Sequence, residues 1–421
     1  MPRPRILFLN RSYWPDAEAT GQLLTELCED LAEQFDVTVV AGQPNWNAEG
    51  ASFQRRGVQC RAGVTIRRVR HTRFAKRSVA GRVVNQLTFF AAATFAALAV
   101  KRPDIVVVET DPPFLALLGA LARRRFGCRL VAYLQDIYPE VAVALRKLPR
   151  GFPTNVLHRL LHGVYRRADR VIVLSQDMRA TLQRSGVADQ RIAVLPNWAD
   201  AGRIRPVAPA ENRFRQQQQL NGQFVVMYSG NMGLSQRLEQ VLRAADGLRS
   251  RRDMVFVLVG GGAARPALER QAAELRLPNV RFVDYQPQSE LPHSLSAADL
   301  HLLPVDPRVV PYLMPSKLYG ILAAGAPVLA VAPQDCELAR IIQREGVGFV
   351  VPPGDTAALT ERIASCADHR EQLASMSRSA RRLAVERYDR RGATTRIAQL
   401  LADLAPRGEG AKKSKSERVQ K

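Results

Sequence analysis

The segment Met314-Pro315-Ser316-Lys317-Leu318-Tyr319-Gly320, running on through Gly325 to Pro327–Ala330, joins a polar loop with one lysine to a small-residue helix and a buried strand. Pro315-Ser316 is a candidate N-cap, and the helix behind it offers unpaired N–H groups and a positive dipole end, as a phosphate site requires. Lys317 adds a mobile charge. Gly325 fits the position after the helix and Pro327 the start of the next strand. An ordinary helix–strand unit with a solvated lysine fits this spacing equally well. Two further loops share the design. Tyr13–Gln22 leads from a strand into a helix with Gly21 where backbone comes close to a neighbour, although turn chemistry alone accounts for a single glycine. Tyr228–Gln236 carries Gly230, Asn231, Gly233 and Gln236 on a strand-to-helix turn whose N–H groups suit a diphosphate. Gly260-Gly261-Gly262 lacks the GxGxxG spacing of a dinucleotide fingerprint.

Asp136, in Gln135-Asp136-Ile137-Tyr138-Pro139-Glu140, follows an apolar strand, so its carboxylate is expected at the mouth of a cleft. It is suited to orient or deprotonate a hydroxyl, and equally to cap the next helix. His158 and His162 lie one helical turn apart without an acidic third ligand nearby in sequence, and read as a helix face rather than a metal site. There is no nucleophile elbow, P-loop or zinc spacing.

These loops need elements to hold them. Ile6–Asn10, Val37–Ala41, Ile105–Glu109, Leu130–Leu134 and Val171–Leu174 read as buried parallel strands with helix-length segments between most of them. Arg203–Gly222, rich in Pro, Arg, Asn and Gln, reads as a linker with a polar helix. A second series follows: Phe224–Ser229, Val255–Val259, Val280–Val283, Leu300–Pro304, Val328–Val331 and Gly348–Val351. Two doubly wound α/β domains are therefore expected, over 1–205 and 206–385, facing across a cleft between the carboxyl ends of their sheets. Residues 386–405, the end of a helical stretch Arg381–Leu404, are expected to pack back on the first domain, and 406–421 to form a disordered basic tail.

At 421 residues, 46% hydrophobic and 24% charged, the chain is long enough for two cores and is not disordered throughout. A net charge of +22 implies polyanionic surroundings. Arg55–Arg82 holds ten Lys or Arg and no acid, just before the apolar run Leu87–Val100. That pairing suits an anionic membrane surface. The run has 14 residues, short of the about 20 that span a bilayer, and reads as a core helix. The N-terminus does not read as a signal peptide, and the five dispersed cysteines fit a reducing cytoplasm.

Taken together, these segments resemble the retaining GT-B glycosyltransferases of family 4, in the branch of the colanic-acid and O-antigen sugar transferases. The resemblance covers nearly the whole chain and rests on Tyr13-Trp14-Pro15 with Thr20-Gly21, Asp111-Pro112-Pro113, Gln135–Glu140, Leu195-Pro196-Asn197-Trp198-Ala199-Asp200, Tyr228–Gly233, Pro315–Gly320 with Gly325, and Val351-Pro352-Pro353-Gly354-Asp355. It implies two Rossmann-like domains and transfer of a sugar, without a metal or other cofactor, from a nucleotide donor to a hydroxyl. UDP is preferred to GDP, and the acceptor implied is a lipid-linked saccharide at the inner face of the cytoplasmic membrane. The resemblance places the base near Tyr285 and Gln286 and the diphosphate near Ser316, Leu318 and Tyr319. It makes Lys317 neutralise the leaving group and Asp136 orient the acceptor, while Glu337 matches a common family glutamate. This sequence departs from the family at Asn231 and Gln236, where an Arg and a Lys are usual, and at Tyr312 and Gly320, where a glutamate pair is usual.

Two other readings compete. Nucleotide-sugar 2-epimerases share the fold but need no acceptor. Nucleic-acid binding would use the charge, but aromatic residues make up only 6% of the chain and no recognised module is present, so no specific nucleic-acid partner is expected.

Overall fold

The computed structural model describes residues 3–16, 18–44, 56–74, 79–233 and 236–406. The strands expected from apolar runs form two sheets. In the first half these are β1 (Arg5–Leu9), β2 (Asp36–Ala41), β3 (Gly57–Arg61), β4 (Val64–Arg68), β5 (Ile105–Val108), β6 (Arg129–Tyr133), β7 (Arg170–Val173) and β8 (Ile192–Val194). They are ordered β3-β4-β2-β1-β5-β6-β7-β8, parallel except for the antiparallel pair β3–β4. In the second half β9 (Phe224–Ser229), β10 (Met254–Val259), β11 (Val280–Val283), β12 (Leu300–Pro304), β13 (Val328–Val331) and β14 (Gly348–Val351) form a parallel sheet ordered β11-β10-β9-β12-β13-β14. The central strands are covered on both faces, so they carry unbroken runs such as Ile105–Val108 and Met254–Val259, buried at every residue.

β1 pairs with β2 on one side and β5 on the other, and β9 pairs with β10 and β12. The strand order reverses at these two strands, and a crevice opens beyond their carboxyl ends. The loops after β1 and β9 therefore stand at the two switch points.

Three segments differ from the sequence reading. The basic band contains the hairpin β3–β4, where Thr65 and Arg67 alternate with fully buried Val64 and Ile66, and it was missed because charge masked the alternation. The apolar run lies within helix Val79–Leu98, which turns Phe89, Ala93 and Ala97 to the core but leaves Leu87 54% and Phe95 79% exposed. No described helix is long and apolar enough to cross a membrane. The terminal helical stretch divides at Tyr388-Asp389 into Arg370–Arg387 and Arg390–Leu404, with Asp389 capping the second piece through the N–H of Arg391 at 3.1 Å. The expected polar helix in the linker is one turn, Arg213–Gln217, anchored by buried Arg215 donating to the carbonyls of Ala297, Leu220 and Gln223. Of the basic tail, only Pro406 lies within the described residues.

The chain crosses between the two sheets twice, and the crossings are tied together. Ala199 donates to the carbonyl of Tyr388 at 3.0 Å and accepts from Arg390 at 3.1 Å. Arg381 donates to the carbonyls of Ala201, Ile204 and Ala323. Helix Arg390–Leu404 lies on helix Ala19–Leu31, where Arg390 grips Asp30 at 2.7 and 3.0 Å.

Candidate active site

The two sheets meet at a cavity of about 230 Å³. The first half contributes Thr20, Gln135, Asp136 and Asn197, and the second Tyr228, Gln236, Ser316 and Lys317. Backbone joins the halves at its rim, where Ile137 donates to the carbonyl of Tyr312 at 2.8 Å and Asp136 bridges Leu313. A larger cavity, about 1240 Å³, lies at the other end of the first sheet among Arg123, Arg124, Arg129, Arg159, Arg167 and Arg191. Volume does not choose between them. The smaller one lies beyond the carboxyl ends of both sheets and sets one acid and one base on its wall, whereas the larger one holds Asp104, Asp169 and Asp403 beside its arginines.

That acid is Asp136 and that base is Lys317, among the described residues the one anionic and the one cationic side chain on the cavity wall. Burial raises the Asp136 carboxyl to about 6, with Lys147 opposing and Asp111 reinforcing the shift. Burial lowers the Lys317 amine to about 8. Its Nζ stands 5.3 Å from the centre of the Tyr228 ring, and among the described residues it has no acidic partner. A desolvated ammonium in this state gains most from an anion brought to it.

Behind Asp136 the wall is a buried polar relay. Asn197 donates to Gln135 Oε1 at 2.8 Å, the Tyr133 hydroxyl donates to Asn197 Oδ1 at 3.3 Å, and Gln135 reaches Glu109 Oε1 at 3.4 Å. Burial holds the Glu109 carboxyl up at about 8, so it carries its proton at neutral pH. The sequence reading missed Glu109, Thr20 and the role of Gln135 and Asn197 as wall. The position of Glu109, Gln135 and Asn197 just past strand ends, and of Thr20 at the start of helix Ala19–Leu31, was the available signal.

The chain matches the family described as Glycosyl transferase 4-like domain over residues 19–198 and that described as Glycosyl transferases group 1 over residues 210–383. Relatives include WbjE of Pseudomonas aeruginosa, named as a glycosyltransferase, 29% identical over 62% of this chain and 66% of its own length. WcaI of Escherichia coli, named as a colanic acid biosynthesis glycosyl transferase, is 28% identical over 85% of this chain and 91% of its own. This chain is a GT-B glycosyltransferase. The fold agrees: HepE of Anabaena, solved with UDP and glucose, superposes with a TM-score of 0.73 at 17% identity over 95% of this chain and all of its own. Sucrose-phosphate synthase of Thermosynechococcus elongatus superposes at 0.77, 19% identical, over 96% of this chain and 99% of its own. WbjE and WcaI are both named as transferases, which leaves the epimerase reading without support.

The glycosyltransferase brings Asp136, Gln236, Ser316 and Lys317 together at the cavity, but several other expected site residues do different work. Gly230 lies directly beneath Lys317, where an added Cβ would come within 2.3 Å of the lysine Cε, and its φ of 130° suits glycine. Three of the N–H groups expected to form a nest are engaged elsewhere among the described residues: Gly230 donates to Val259, Met232 to Gly261 and Gly233 to the Gln236 side chain at 3.0 Å. Asn231 is exposed, and its carbonyl accepts from the Tyr228 hydroxyl at 2.5 Å. Gly260 and Gly262 let the two loops touch backbone to backbone, which explains the glycine run without a ligand.

Ser316 takes the N-cap position but in helical conformation and without a side-chain cap bond, so it is not the N-cap that was expected. The side chains of Leu318 and Tyr319 are in the core, with Tyr319 edge-on to Tyr388 at 5.1 Å, and their N–H groups turn back to Pro315 and Ser316 at 3.3 Å. Gly21 is buried against Ser12 and Asp16, close packing rather than ligand approach, while its neighbour Thr20 reaches the cavity. Tyr285 and Gln286 stand outside the cavity wall: the Tyr285 hydroxyl donates to Gly261 at 3.3 Å and Gln286 to the carbonyl of Asp284 at 3.0 Å. Glu337 also lies off the wall. Its N–H is capped by Asp177 from the opposite half at 2.7 Å and its carboxylate meets Arg340 at 3.2 Å, a latch between halves. Asp355 caps helix Thr356–Asp368 by accepting from Ala358 at 2.9 Å, and Trp198 donates to Glu26 at 2.8 Å, so these motif residues are structural.

The histidine pair has gained the partner that the sequence did not show. Glu140, on the turn after Asp136, receives both rings.

Proposed function

We propose that this glycosyltransferase moves a sugar from a UDP-linked donor to a hydroxyl of a lipid-linked saccharide, with retention of configuration and no metal on the diphosphate, in building a surface polysaccharide. The observation that carries the reading is the Lys317 amine, without an acidic partner among the described residues, on one cavity wall with Asp136 in a cleft shared by the two halves. The diphosphate lies against Lys317, and Asp136 accepts a hydrogen bond from the acceptor hydroxyl to orient it. The hydroxyl oxygen attacks the anomeric carbon from the face that UDP leaves, and its proton passes to the departing phosphate oxygen. With Gly320 and Tyr312 in place of the usual glutamates, Lys317 carries a larger share of the charge. HepE, crystallised with UDP and glucose, supports the base, although a relative from Mycolicibacterium smegmatis, 26% identical over 68% of this chain, is named GDP-mannose-dependent. WcaI and WbjE support the polysaccharide role.

The acceptor side is read as a membrane surface on the cytoplasmic side. Val83, Leu87 and Phe95 are exposed along helix Val79–Leu98, Arg82 lies on its first turns, and Phe74 is 56% exposed nearby in the chain. An apolar helix face flanked by arginines binds anionic bilayers. Failure to pellet with anionic liposomes at low salt removes this part. For the donor, thermal-shift titrations of UDP, GDP and their sugars decide: UDP compounds raise the apparent Tm of the wild type, and Lys317→Ala loses most of the rise. A preference for GDP reassigns the base, and an undiminished rise in Lys317→Ala removes Lys317 from the site.

A further inference from the structure

Outside the cleft, helix Phe152–Arg167 carries His158 and His162 with their rings stacked, centroids 4.0 Å apart and planes at 30°. Both rings turn one nitrogen to the same atom of a third residue. His158 Nδ1 is 2.7 Å and His162 Nε2 2.9 Å from Glu140 Oε1. The three donor atoms lie within 4.8 Å of one another. His162 is fully buried; among the described residues its Nδ1 has no hydrogen-bond partner and its Nε2, though close to Glu140, is not aligned for one, and Glu140 Oε2 and the buried hydroxyl of Tyr165, whose ring is 5.4 Å from His162, have none either. The cluster thus leaves four buried polar atoms without a hydrogen bond, a costly arrangement for a site that only fills space.

We propose that Glu140, His158 and His162 form a divalent transition-metal site, with Zn²⁺ as the ion the donor set suits best. Two imidazoles and one carboxylate with a fourth position for water make a common zinc set. At Zn–N and Zn–O lengths of about 2.0–2.1 Å, tetrahedral ligand atoms stand about 3.3 Å apart. The observed 2.7 and 2.9 Å contacts need only about 0.5 Å of opening. Partly exposed His158 leaves the ion a way in.

Glu140 begins the short helix Glu140–Ala144, four residues after Asp136. An ion here would pin that turn to helix Phe152–Arg167 and fix the position of Asp136 from behind. The role is structural, separate from any ion on the diphosphate.

The test uses full-length protein stripped with a chelator, dialysed, and titrated with Zn²⁺ against a chromophoric chelator, with bound metal measured by elemental analysis. One equivalent binds the wild type and raises its apparent Tm. His158→Ala, whose partly exposed side chain can be removed without opening the core, lowers the affinity about 100-fold, at least the loss seen when an outer partner of a metal is removed. Glu140→Gln lowers it likewise. With Co²⁺ in place of Zn²⁺, the wild type shows the visible absorption of a tetrahedral site and His158→Ala does not. No stoichiometric uptake by the wild type, or uptake of equal affinity in both variants, overturns the proposal.

Discussion

Replacing Asp136 with Asn should stabilise the protein while disabling it, and the pH dependence of that gain follows from the structure. The Asp136 carboxyl titrates at about 6 in the fold against an ordinary 3.8, because burial disfavours its charge. A group whose folded pKa is raised contributes its full stability below the unfolded value and loses it as pH rises through the folded one. The shift of about two units corresponds to about 3 kcal/mol, and water in the cleft reduces this to about 1–2 kcal/mol. Asn keeps the shape without the charge. Wild type and Asp136→Asn should therefore coincide near pH 4, differ by about half the full gap at pH 5, and reach a constant gap above about pH 7. In a domain of this size the plateau corresponds to about 2–8 °C in apparent Tm. Differential scanning fluorimetry from pH 4.5 to 8 in constant salt reads it, and transfer falls about 100-fold or more in the same variant. A variant no more stable than wild type at pH 7.5, or a gap that does not change with pH, would refute the placement of a desolvated carboxylate in the cleft.

Lys317 titrates from about 8, so nucleotide affinity should hold below that pH and weaken up to about tenfold per unit above it. Lys317→Arg, always charged, should bind more weakly but without this slope, as isothermal titration at pH 7 to 9.5 would reveal. Gly230→Ala should cost about 1–3 kcal/mol and abolish the nucleotide-induced Tm rise, because its Cβ displaces the lysine, whereas Gly222→Ala, at φ 80° with open space around it, should lower Tm but keep the rise. Asp177→Ala should lower stability by about 1–2 kcal/mol through loss of the Glu337 cap and the Arg340 pair, and Arg340→Ala should add less than its separate effect in urea unfolding of the double variant.

The two-sheet plan was legible because fully covered parallel strands announce themselves as apolar runs between turn signals. The hairpin β3–β4 was not, since its strands mix Arg61, Arg67 and Arg68 with Gln59 and Thr65 and so break that pattern. That Asp136 stands just past a strand and Lys317 at a helix start, both facing the cavity, was legible from the neighbouring apolar runs. The misreadings at Gly21, Gly233, Ser316 and Glu337 share a cause. Glycines and helix starts mark close approach, but sequence does not say whether a ligand or another loop does the approaching. Glu140 was invisible as a partner of the histidines because proximity across eighteen positions arises only in the fold.

The paired crossings at Ala199–Ala201 and Tyr388–Arg390 bear on how the cleft opens. Two strands of backbone hydrogen-bonded side by side flex readily about the line joining them and resist twist, so the halves should swing like a book on its spine rather than slide or swivel. The Asp136–Leu313 bridge and the Asp177 latch lie off that spine, and such a swing must break them for the cleft to open. Substrate entry would thus be gated by a few hydrogen bonds whose strength is independent of the spine, and the rate of opening could be changed by substitution at these two contacts without altering the path of motion.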